Sequence, residues 1–162
     1  MANTYSQIYI QLVFAVKGRS NLVSKQHKEE LYKYMTGIIR NKGQKLLAID
    51  GMPDHVHIFV GMTPDIAISD LVKEVKRCTT NWVNEEKEWY RGKFYWQEGF
   101  GAFSYSRSHI DRVVKYIHNQ EAHHKRRTFK EEYIGFLKKF EVEYDERYLF
   151  EWIDVDYSQD GI

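Results

Sequence analysis

Apolar and polar residues alternate between residues 5 and 16, with Ile8, Ile10, Leu12 and Phe14 on one side and Tyr9, Gln11 and Val13 on the other. A period of two predicts a strand with one more polar face, ended by Gly18, Ser20 and Asn21. The period then lengthens. Leu31, Met35, Ile38 and Ile39 form the stripe of a helix predicted from a Ser24 cap to about Lys42, with Gly43 as its stop. Leu46 to Asp50 reads as a short strand, Gly51-Met52-Pro53 as a turn, and His55 to Gly61 as the next strand. Thr63-Pro64-Asp65 opens a second helix, with Ile68, Leu71, Val72, Val75, Thr79, Trp82 and Val83 as its stripe. The aromatic stretch KFYWQEGFGAFSY (93–105) reads as one or two short strands bent at Gly99 or Gly101. Ser108, with Asp111 three residues on, fits a capping box for a third helix, whose stripe is Ile110, Val113, Val114 and Ile117. Thr128 can cap a last helix through about Phe140, burying Phe129, Phe136, Leu137 and Phe140.

Strand, helix, strand, strand, helix, strand is the split βαβ order. It predicts an α+β fold: a ferredoxin-like or RRM-like antiparallel sheet with helices packed on one face, plus a C-terminal helix. Residues 1–150 read as one domain. The acidic, aromatic tail EYDERYLFEWIDVDYSQDGI (143–162) is expected to dock at its start, and 151–162 to fray.

Composition narrows the classes. The chain has 162 residues, 43% of them apolar and 29% charged in both signs, which argues against disorder. No apolar run approaches the ~20 residues of a membrane span. The N-terminus lacks the basic region of a secretory signal, so a cytoplasmic location is expected. The single cysteine, Cys78, excludes an internal disulfide framework and a cysteine-based zinc site. A net charge of +1 gives no whole-chain support for nucleic-acid binding. Two local basic clusters remain, Lys73, Lys76 and Arg77, and Lys125, Arg126 and Arg127; a solvated helix face explains such clusters equally well.

Two constellations carry chemistry. In His55-Val56-His57, alternation puts both imidazoles on the face opposite Val56, Ile58 and Val60, close enough to converge on one metal ion. Two surface histidines on a solvated sheet would give the same pattern. In the third helix, Tyr116 and Gln120 stand at i and i+4 and project from one side, together with His109 and His123. A phenol is a competent nucleophile toward phosphorus, and a Gln carbonyl is a hard oxygen ligand. A half-buried tyrosine packing on the sheet is the plainer reading of Tyr116 alone.

Together these motifs resemble one family. GMPDHVHIFV (51–60) resembles the histidine strand of the single-tyrosine HUH transposases of the insertion-sequence 200/605 type, which include REP-associated relatives. QEGFGAFSYSRSHIDRVVKYIHNQEAHH (97–124) is similar to their tyrosine helix and its approach, and residues 128–150 to their C-terminal segment. The resemblance implies that His55, His57 and Gln120 bind a divalent metal, Mg²⁺ or Mn²⁺, and that Tyr116 is the nucleophile. It assigns no role to Asp54. It implies cleavage and rejoining of single-stranded DNA through a 5′-phosphotyrosine, hairpin ends as partners, and a homodimer. By the same analogy the two basic clusters would hold DNA. Other classes stay open: a non-catalytic or domesticated single-strand-binding protein of the same fold, and a metal-dependent hydrolase with water as nucleophile.

Overall fold

The computed structural model describes residues 3–155. Four strands, β1 (Tyr9–Ala15), β2 (Lys45–Met52), β3 (His55–Gly61) and β4 (Gly101–Tyr105), form one sheet in the order β2-β3-β1-β4, with every neighbouring pair antiparallel. The helices are α1 (Lys25–Asn41), α2 (Ile68–Asn81), α3 (Ile110–His118), α4 (Gln120–His124) and α5 (Phe129–Lys139). This is the split βαβ sheet expected from the element order, with α3 to α5 following β4.

The central strands β1 and β3 are buried on both sides. Register places Ile10, Leu12 and Phe14 opposite Val60, Ile58 and Val56. These residues pack with Leu31, Met35, Ile39, Leu71, Val72 and Val75 from α1 and α2. The other parity pairs Gln11 with Phe59 and Val13 with His57. There Phe59 meets Val113 and Ile117 of α3, and His57 faces Phe136 of α5. The expectation of helices on one face therefore holds only for α1 and α2. The sequence contains two further amphipathic helices after β4, and their apolar stripes cover the second face.

Several boundaries shift for local reasons. β1 begins at Tyr9 rather than at residue 5. β2 runs through Met52, so the turn is Pro53-Asp54. Gly51 lies inside the strand, and the position requires glycine because a Cβ there would lie 2.2 Å from the carbonyl oxygen of His55 and 2.8 Å from the Tyr32 hydroxyl. α2 begins at Ile68, not at Thr63, because the Thr63 amide is held by Gln44 Oε1 at 2.8 Å and its hydroxyl by Asp65. The end of the predicted second helix becomes a π-type segment, Trp82–Lys87. The capping box at Ser108 does not form; Arg107–His109 is a 3₁₀ turn, and the Ser108 hydroxyl lies 2.8 Å from that of Ser106. α5 does carry its expected cap, a reciprocal pair between Thr128 and Glu131. Phe140 is only half-buried.

The start of the tail packs on the body. Phe150 is buried, Trp152 packs on Phe129, and the Gln97 amide clasps the backbone of Glu151 at 2.8 and 2.7 Å. Of the segment expected to fray, residues 156–162 lie outside the described residues.

Candidate metal centre and nucleophile

β3 delivers His55 and His57 to the face under α3 to α5, and that cover buries them, at 2% and 0% exposure. A solvated sheet face is thus excluded. Each ring is oriented by a neighbour. His55 Nδ1 lies 2.7 Å from Asp54 Oδ1, which turns Nε2 inward. His57 Nδ1 lies 2.9 Å from the Gln11 amide, whose other end is 2.9 Å from the Tyr105 hydroxyl. Either orientation of that amide closes the chain, because a phenol donates or accepts. With Gln11 Nε2 donating to Nδ1 and its Oε1 accepting from Tyr105, the His57 proton sits on Nε2 and points at Glu132 Oε1. Carboxylate and amide partners behind imidazoles are the usual support of histidine metal ligands.

The centre of the cluster is Glu132, from the first half of α5. Its Oε1 lies 2.9 Å from His57 Nε2 and 3.3 Å from Nε2 of both His55 and His124. Its Oε2 accepts a short hydrogen bond from the Tyr116 hydroxyl and one of 3.3 Å from Gln120 Nε2. Gln120 Oε1 lies 3.1 Å from Nε2 of His55 and 3.1 Å from Nε2 of His124. The Arg127 guanidinium donates to the Tyr116 oxygen at 2.7 Å, and His123 stacks on the phenol ring at 4.2 Å between centroids.

Charge follows from burial and these contacts. Burial works to lower the His55 imidazole, but the Asp54 carboxylate, with Glu132 beside it, pushes it up to about 10. Burial lowers His57. For Glu132, burial would raise the carboxyl, but the surrounding imidazoles hold it well below the usual range, so it is ionised. Burial and then Glu132 push the Tyr116 phenol up, against the pull of Arg127. Ionising this phenol therefore requires added positive charge.

His55, His57 and Glu132 form a buried group with ligand atoms all within 4.8 Å of one another, able to hold a divalent metal. The donor chemistry fits such an ion. His55 directs Nδ1–H at Asp54 and its second proton, on Nε2, at Gln120 Oε1 and Glu132 Oε1, so a bound ion would take the place of that Nε2 proton between an imidazole and two oxygen donors. Spacings of 2.9–3.3 Å match adjacent ligands on a six-coordinate ion, which stand about 3 Å apart for bonds of about 2.1 Å.

All of His55, His57, Tyr116 and Gln120 thus meet in one place. The route differs from expectation at one point: α3 stops at His118, and Gln120 starts α4 beyond a break at Asn119. His109 stands outside the cluster, 6.4 Å from Tyr105 between ring centroids, on the wall of the groove that leads to Tyr116. Arg127 turns inward to the phenol, while Lys125 and Arg126 stay exposed nearby. Lys73, Lys76 and Arg77 lie on α2, across the sheet. Lys76 is committed to the carbonyls of Gln97 and Gly99 at 2.9 and 2.7 Å, and burial lowers its amine to about 8. Arg77 pairs with Glu74 at 2.6 Å. Sequence reasoning missed Glu132, Asp54, Gln11 and His124; of these, only Asp54, adjacent to the histidine motif, carried a local signal. Beside Tyr116 a groove of about 440 Å³ opens to the surface, lined by Tyr105, Arg112, Arg127, Phe136 and Lys139 among others.

Comparison with known proteins gives the family and the fold. A family model described as "Transposase IS200 like" matches residues 4–120. The ISDra2 transposase TnpA of Deinococcus radiodurans is 27% identical over 120 residues, covering 70% of this chain and 84% of the relative. Two solved structures share the fold. One is a candidate transposase from D. radiodurans, with a TM-score of 0.55, 24% identity, and coverage of 73% of this chain and 94% of the other. The second is a REP-associated tyrosine transposase bound to a REP hairpin, with a TM-score of 0.57, 16% identity, and coverage of 75% and 72%. The matched family segment contains β1 to β4, α3 and Gln120 but ends before α5. Since that segment is more than half of the chain, the protein belongs to the IS200-like transposase family.

Proposed function

We propose that this transposase cleaves and rejoins single-stranded DNA at the ends of an insertion element, with Tyr116 as the nucleophile. The observation that carries the reading is the hydroxyl of Tyr116, held by Glu132 against the buried His55–His57 pair at the mouth of a basic groove. The Tyr116 oxygen attacks the scissile phosphorus as its O–H bond breaks, and the released proton is balanced, through solvent, by the one the departing 3′-oxygen takes up. The 3′-oxygen leaves with the electrons of the broken P–O bond, giving a 5′-phosphotyrosine and a free 3′-hydroxyl. Attack by another 3′-hydroxyl reverses the step, so rejoining needs no nucleotide cofactor.

His55, His57 and Gln120 would hold the divalent ion, Mg²⁺ or Mn²⁺, which supplies positive charge to the phosphate oxygens when bound. Asp54 and Gln11 keep the imidazole Nε2 atoms pointed inward. Arg127 places a fixed cation on the tyrosine oxygen, which favours the phenolate that burial opposes. Arg112, Arg127 and Lys139 line the approach of a phosphate backbone, with Tyr105 and Phe136 as stacking surfaces. Lys125 and Arg126, at the same end, and Lys73, across the sheet, would hold flanking DNA, including a hairpin end, whereas Lys76 and Arg77 are already taken up by the Gln97 and Gly99 carbonyls and by Glu74. One tyrosine makes one cut, so excision at two ends calls for two copies, supporting a homodimer.

Covalent capture tests this reading. Labelled single strands from both flanks of the gene, incubated with the protein and Mn²⁺ and run on a denaturing gel, should yield a strand-specific, metal-dependent adduct that Tyr116→Phe abolishes. Binding without any adduct would leave a single-strand-binding protein of this fold.

A further inference from the structure

Glu132 is the most heavily committed side chain in the site, and the proposed reaction uses it only to hold the Tyr116 hydroxyl. It is 1% exposed and comes from α5, outside the segment shared with the family model. Burying a carboxylate is costly unless its oxygens are matched by charge or hydrogen bonds. Here the two oxygens have different surroundings. Oε1 faces only imidazole nitrogens, His57 at 2.9 Å and His55 and His124 at 3.3 Å. Oε2 faces the Tyr116 hydroxyl and the Gln120 amide. Thr128 and Glu131 cap α5 immediately before it, and Phe129 stacks on His55 at 3.9 Å between centroids, so the helix start is fixed against β3. The reach of Glu132 is thereby set by the fold and not by a loop.

We propose that Glu132 is a shared carboxylate: Oε1 joins His55 and His57 as a ligand of the divalent ion, while Oε2 holds the Tyr116 hydroxyl, so that ion binding and seating of the nucleophile are one event. This rests on the reading of Tyr116 as nucleophile. Gln120 then has two roles available to it. Its carbonyl can complete the ligand set beside His55, and its amide steadies Oε2. His124 packs behind the carboxylate, with its own Nδ1 3.0 Å from the Arg127 carbonyl oxygen. It ties the position of the carboxylate to that of Arg127, the second group on the phenol. A carboxylate offers what neutral ligands lack, a negative charge for the ion on one oxygen and an acceptor for the nucleophile's hydroxyl on the other, at a fixed separation.

The test separates ion binding from activity. Mn²⁺ affinity is measured calorimetrically, without DNA, for the wild type, Glu132→Gln and His55→Ala, each checked for a cooperative thermal transition. Glu132→Gln should weaken Mn²⁺ at least tenfold, and saturating Mn²⁺ should leave its capture rate at least tenfold below that of the wild type. Unchanged affinity overturns the ligand role. Full recovery of the capture rate at saturating Mn²⁺ overturns the seating role. If His55→Ala also binds Mn²⁺ normally, the metal site itself is misplaced, a failure distinct from that of Glu132. Anomalous diffraction from Mn²⁺-soaked wild-type crystals needs no variant. A peak bonded to both imidazole Nε2 atoms and Glu132 Oε1 supports the proposal, and a peak bonded to Gln120 with Glu132 turned away overturns it.

Discussion

Ile58 and His57 are neighbours on β3, both fully buried, and they look into opposite interiors of the molecule. Ile58 enters an aliphatic layer under α1 and α2, where its contribution is apolar burial and close packing. His57 enters a layer under α3 and α5 where Glu132, Tyr116, Gln11 and two more imidazoles converge. Burial is equal, yet the costs differ. Apolar groups need only neighbours, whereas buried polar groups need partners, and so the second interior is organised as a hydrogen-bonded network, from which the buried Nε2 of His123 is left out. One face keeps the domain folded, and the other spends part of that stability on positioned chemistry.

Substitutions at these two adjacent residues should have opposite signatures. His57→Ala should lower covalent capture on the order of 10³-fold, as loss of a group acting in concert with a nucleophile does, and lower Mn²⁺ affinity with it. Capture within threefold of the wild type would merge the two faces into one structural role. Ile58→Ala should cost about 2 to 5 kcal/mol of unfolding free energy, measured by denaturant titration, while the folded fraction binds Mn²⁺ normally. A change in Mn²⁺ affinity there would mean that the faces are mechanically coupled.

The polar face should also respond to pH where the apolar face does not. His55 holds a proton up to about 10, so below that value an incoming ion must displace it. Mn²⁺ affinity should therefore fall as pH drops, by about tenfold per unit if one proton is released. Titration between pH 6 and 8 in two buffers of different ionisation enthalpy measures this; a flat profile with no proton release would contradict it. The smallest effect is expected on α2, behind the apolar layer. Replacing Lys73 with Ala should reduce the slope of log affinity against log salt for single-stranded DNA by about 0.7 for one lost phosphate contact. It should leave capture at saturating DNA unchanged. An unchanged slope would confine DNA binding to the side of Tyr116.

The apolar face was the more legible in the sequence. The stripes of α1 and α2 and the alternation of β1 and β3 are local patterns, and they recur in the structure with shifts of a few residues at their ends. The histidine face was half legible. His55 and His57 follow from strand alternation, and Tyr116 and Gln120 stand out at helical spacing beside them. Glu132 did not stand out because nothing local distinguishes it from Glu131, which only caps its helix. What separates them is the docking of α5 against β3, a contact spanning 75 residues. The break at Asn119 has no proline or glycine to announce it. The second covered face was missed because a four-stranded sheet with two crossover helices is already a complete fold, and helices added after β4 are free to pack elsewhere.

Locating the covalent bond tests the account most directly. Trypsin releases Tyr116 in the peptide YIHNQEAHHK, residues 116–125, which contains no other tyrosine. The protein is trapped on labelled single-stranded DNA with Mn²⁺, digested with nuclease and trypsin, and read by mass spectrometry. The account predicts a 5′-nucleotide joined through phosphate to Tyr116 in this peptide. An adduct on a peptide carrying another tyrosine, or cleaved strands with no protein-bound nucleotide, would contradict it.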